Sequence, residues 1–79
     1  MTSPHKPPLK ASDISAEWTD MIRTMLHLQK QPLRGPAAAP VLEIQSLTTQ
    51  RWHPLMLPNN QNEFASLADR DECLRRLQS

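Results

Sequence analysis

The chain has 79 residues, nine Lys+Arg against eight Asp+Glu for a formal charge of +1, eight prolines, one glycine and one cysteine. A chain this short buries only roughly 60% of the surface its unfolded form exposes, so it holds one small core and gains from a partner surface. A lone cysteine excludes an intramolecular disulfide and a CxxC metal knuckle, Gly35 alone excludes a glycine-rich phosphate loop, and interspersed charges exclude a broad basic stripe for duplex DNA.

Residues 1–11 carry prolines, lysines and a histidine and almost nothing apolar, a composition that predicts a disordered or polyproline-like tail. MTSPHKPPLK has no apolar run behind its lysines and so predicts no signal peptide. No later stretch approaches the ~18 apolar residues of a membrane span. A soluble, cytoplasmic protein is the expectation.

A single small domain is expected over 12–79, opening with an amphipathic helix over 13–30. Ile14, Trp18, Met21, Ile22, Met25 and Leu26 fall at i, i+4, i+7, i+8, i+11 and i+12, one apolar stripe on a 3.6-residue helix. Ser12 or Asp13 is the expected N-cap, Lys30 suits the last turn, and Pro32 stops the helix. Residues 31–40, QPLRGPAAAP, read as a semi-stiff proline-rich linker.

Val41, Leu42, Ile44 and Leu47, followed by Thr48 and Thr49, favour a strand, although a helix opened by Pro40 also fits positions 41, 44 and 48. RWHPLML over 51–57 is a second extended stretch in which Trp52, Leu55 and Leu57 can reach a core, and Pro54 confines it to an edge. The two make a hairpin turning near Thr49-Gln50. After a polar loop, Pro58 to Asn62, Ser66 and Asp69 form a capping box for a last helix ending near residue 78, with Leu67, Leu74 and Leu77 as its apolar face and Cys73 alongside. The predicted class is α+β, in the order helix, linker, β-hairpin, helix.

His5, His27, His53 and Cys73 share no metal-ligand spacing, and a Cys-His nucleophile would need residues far apart in sequence to meet in a pocket. Asp69, Asp71 and Glu72 read as charge at a helix start rather than as a cation loop. No cofactor, no metal and no enzymatic activity is expected.

The stripe of the first helix carries the leading functional expectation. An indole beside flexible thioethers suits a groove or an irregular partner surface, and covering the hairpin is the competing use of the same face. Ile14, Trp18, Met21, Ile22, Met25 and Leu26 are therefore the candidate partner-binding residues, for a larger protein or for a second copy in a homodimer. Such a chain has the dimensions of small bacterial, plasmid- or phage-encoded adaptors, inhibitors and regulators. The alternative is a small nucleic-acid-binding regulator, in which Arg51, Trp52 and His53 stack single-stranded bases and Arg75 and Arg76 add charge. A membrane-surface role has no cationic belt to support it, because Asp13, Glu17 and Asp20 offset Arg23 and Lys30.

Overall fold

The computed structural model describes residues 7–79, so the proposed tail is described only from Pro7 onward. In chain order a 3-10 turn at Ala11–Asp13 precedes α1 (Ala16–Gln29), β1 (Leu33–Arg34), β2 (Glu43–Gln45) and β3 (Trp52–Pro54). A second 3-10 turn at Pro58–Asn60 leads into α2 (Leu67–Gln78). Two helices and one three-stranded antiparallel sheet of order β1-β2-β3 make an α+β fold.

The tail differs from the expectation within its described part. Leu9 and Ala11 are buried, and Leu9 pairs with Phe64 in an isolated parallel bridge. Its amide donates to the Glu63 carbonyl at 3.3 Å and its carbonyl accepts from the Ala65 amide at 2.7 Å. Two buried apolar residues and these backbone bonds help fasten a segment whose composition alone reads as unstructured.

The start of α1 also moves. Ser15, rather than Ser12 or Asp13, is the N-cap, its hydroxyl accepting from the Trp18 amide at 3.1 Å, and Ile14 is extended. Asp13 instead accepts from the Lys10 amide at 3.0 Å and closes the preceding turn. The helix ends before Pro32, because Lys30 turns left-handed (φ 52°, ψ 40°) and lets the Gln31 amide reach back to the Leu26 carbonyl at 3.1 Å.

Residues 41–50 form a strand and turn, as their β-branched content predicts, and the hairpin closes where Gln50 adopts φ 62°. Ser46 closes the turn: its amide donates to the Arg51 carbonyl at 2.8 Å, and its hydroxyl accepts from the amides of Thr48 and Thr49, both at 3.3 Å. The register pairs Glu43 with Pro54, Ile44 with His53 and Gln45 with Trp52. Flanking bonds join Ser46 to Arg51 and Leu42 to Leu55, so the backbone of His53 faces β2 and Pro54 meets the open edge, where its missing N–H costs nothing.

The linker is more than a connector. It supplies β1, which pairs Leu33 with Ile44 and Arg34 with Glu43 and extends the expected hairpin to three strands. Its remainder is held by Arg70, a buried arginine of α2. One guanidinium nitrogen donates to the carbonyls of Pro36 and Ala39, the latter at 3.0 Å, while Nε and the other nitrogen reach the Asp71 carboxylate at 3.0 and 2.7 Å. The one glycine sits where this guanidinium passes: a Cβ on Gly35 would stand 3.0 Å from Arg70 Cζ and Nε.

Ser66 caps α2 as expected, accepting from the Asp69 amide at 3.1 Å. Asp69 also accepts from the Ala11 amide at 3.0 Å, which ties the start of α2 to the turn before α1. The core gathers Leu9, Ile14, Ile22, Leu26, Leu42, Leu55, Leu57, Phe64, Cys73 and Leu77, with Trp18, Met25, Leu33, Ile44 and Leu74 half-buried around it. Leu67, expected on the apolar face of α2, is 44% exposed, whereas Arg70, one turn along, is buried.

Candidate docking surface

The apolar stripe of α1 divides into two arcs. Thr19, Ile22 and Leu26 are buried against the core, and Thr19 satisfies its hydroxyl on the Ser15 carbonyl at 3.0 Å. At ~100° per residue, Trp18, Met21, Met25 and Leu28 occupy the adjoining arc of about 80°. Its inner members, Trp18 and Met25, are half-buried against the core, whereas its outer members stand in water, Met21 at 60% and Leu28 at 80% exposure.

Three of the six expected partner-binding residues are therefore core: Ile14, Ile22 and Leu26 are 6%, 9% and 7% exposed and have little surface to offer another chain. Trp18, Met21 and Met25 stay on or beside the free arc. Leu28 joins them as a residue the sequence reading left out, although its spacing signal was present: 18, 21, 25 and 28 alternate steps of three and four, the pattern of a helix–helix seam. An open groove of about 340 Å³ borders the Leu28 end, lined by Arg23, Thr24, His27, Leu28 and Ser79. Arg23 is held there by Asp20 and by donation to the Arg76 carbonyl and Ser79 hydroxyl at 3.4 and 3.3 Å.

The residues of the nucleic-acid alternative are dispersed. The pleat sends Trp52 and His53 to opposite faces of β3. Trp52 shares its face with Arg34, whose guanidinium lies 4.1 Å from the ring centroid and also pairs with Glu43 at 2.9 Å, so one stacking surface of the indole is covered from within. Trp52 is thus half-buried beneath an arginine and not part of the core. Arg51 is exposed and has no ion pair among the described residues, but Arg75 and Arg76 lie on α2 and both pair with Glu72, at 3.9 and 3.3 Å.

Among the described residues, no three His, Cys, Asp or Glu side chains converge to hold a metal ion, and no helix is long and apolar enough to cross a membrane. Cys73 is 1% exposed, and burial pushes its thiol up to about 11, so it is protonated at neutral pH. Asp69 is the opposite case: the Ala11 amide and the Ser66 hydroxyl stabilise its charge and hold its carboxyl below the usual range. No known protein family, curated protein or solved structure matches the chain.

Proposed function

We propose that this protein is a non-enzymatic interaction module, an adaptor, inhibitor or regulator acting in the cytoplasm, that docks through the outer arc of α1. One observation carries the reading. Met21 and Leu28 hold large apolar side chains in water on a helix whose other arc already fills the core, in line with half-buried Trp18 and Met25. Scattered exposed apolar residues are ordinary, whereas a seam at helical spacing is the form in which a helix meets another surface. Methionines suit that use, since their unbranched thioether chains adapt to the partner's shape. The nucleic-acid reading has weaker support, since its rings and cations are divided between the two sheet faces and α2.

The test is a photo-cross-linker, p-benzoylphenylalanine, placed at Met21 or Leu28 in the organism that encodes the protein, with exposed Thr48 as control. The account expects discrete adducts from 21 and 28, to a second copy or to another protein, and none from 48. Equal background at all three positions overturns it.

A further inference from the structure

We infer that the partner of this arc is a second copy of the chain, docked as an antiparallel pair of α1 helices about a two-fold axis. The inference rests on the docking reading above and names its occupant.

The spacing of Trp18, Met21, Met25 and Leu28 is self-complementary in one orientation. In antiparallel register Trp18 lies against Leu28 of the other copy and Met21 against its Met25, each layer setting an exposed side chain against a half-buried one. Every protrusion on one copy meets a shallower position on the other, and the axis passes beside Thr24. A parallel pair sets the two exposed methionines against each other, and likewise the two exposed leucines.

Charge selects the same orientation. The first half of α1 carries Glu17 and Asp20, while Arg23, His27 and the capping Lys30 follow in the second half. Asp20 is paired with Arg23 within the helix, which leaves Glu17 near one end and Lys30 at the other. Two antiparallel copies bring the Glu17 end of each helix to the Lys30 end of the other, with the helix dipoles opposed; two parallel copies bring the like-charged ends together. Of the α1 positions that flank the seam, Glu17, Ile22, Thr24 and Gln29, only Glu17 is charged; Lys30, at ~100° per residue, lies on the other side of the helix and acts from its end.

The size of the surface sets the strength. Two exposed and two half-buried side chains offer roughly a few hundred Å², below the ~800 Å² per partner of a stable dimer. The pair is accordingly weak and concentration-dependent, with a dissociation constant of about 10–1000 µM.

Sedimentation equilibrium from ~10 µM to ~2 mM reads the association, and cysteine cross-linking reads its geometry. Wild-type protein should shift from monomer to dimer across that range, and Leu28→Glu should weaken the shift at least tenfold with an unchanged helical circular-dichroism spectrum. Thr24→Cys, beside the axis, should form a disulfide-linked dimer on mild oxidation, whereas Glu17→Cys, far from its own counterpart in the antiparallel pair, should not. Wild-type Cys73 stays in place, since its buried thiol is protonated. A monomer at every concentration overturns the inference, and so does equal cross-linking at 17 and 24, which marks a parallel pair. If the monomer persists while photo-cross-links at Met21 and Leu28 capture a foreign protein, the self-pairing is wrong and the docking reading stands; if both fail, both are wrong.

Discussion

The two helices solve the same problem differently. Both lay an apolar arc on one core, but α2 meets water with Asp71, Glu72, Arg75 and Arg76 in ion pairs, and its only large apolar residue in the open is Leu67 in the first turn. On α1 the outward side keeps Glu17, Asp20 and Arg23 on one flank and gives the other to Met21 and Leu28. A helix made only to cover a core resembles α2. The surplus apolar arc on α1 is the feature that core-building does not explain, and it is why function is assigned there.

The comparison breaks most sharply at neighbouring leucines of α1. Leu26→Ala should destabilise by about 2–5 kcal/mol, because it empties a buried site, while Leu28→Ala should change stability by no more than about 0.5 kcal/mol. Thermal unfolding of both variants measures the difference, and similar losses would show that the outer arc is structural. On α2 the largest polar effect belongs to Arg70. Arg70→Met should cost about 2–4 kcal/mol by stranding the Pro36 and Ala39 carbonyls, and hydrogen exchange should quicken across 35–39.

Smaller effects sharpen the contrast. Ser66→Ala should cost about 1 kcal/mol through loss of the α2 cap. The Asp69 carboxyl is held below its ordinary value in the folded chain, so its contribution is complete above about pH 4 and fades as pH falls below that. Acid titration of unfolding should show the fade in wild type and lose it in Asp69→Asn. Least of all, Glu72→Gln, which removes the carboxylate shared by Arg75 and Arg76 on an exposed face, should shift stability by under about 1 kcal/mol and mainly at low salt.

Much of this architecture was legible in the residues, and the gaps have physical causes. Periodicity placed α1 and α2, β-branched content placed β2, and Pro54 marked the open edge. Periodicity could not divide the α1 stripe, because Ile22 and Leu26 lie one arc from Met21 and Leu28, and only the position of the sheet and α2 decides which arc is covered. The burial of Arg70 has no sign in the sequence because its acceptors are backbone carbonyls of residues 36 and 39, which leave no mark in side-chain pattern. Leu9 was lost in a polar segment for a similar reason: its bonds to Glu63 and Ala65 are between backbones. Trp52 reads with Leu55 and Leu57 as a core candidate in one extended stretch, but the register sends it to the face that Arg34 covers.

The claim that the outer arc of α1 is surplus to the fold is tested most directly by thermal unfolding of Met21→Lys/Leu28→Lys beside wild type at ~1 µM, a concentration below that of any self-pairing this surface supports. The account predicts midpoints within about 2 °C of each other, since both lysines stand in water on a helix that keeps its buried arc. A fall comparable to that of Leu26→Ala would mean that Met21 and Leu28 hold the fold together, and the assignment of function to this surface would be wrong.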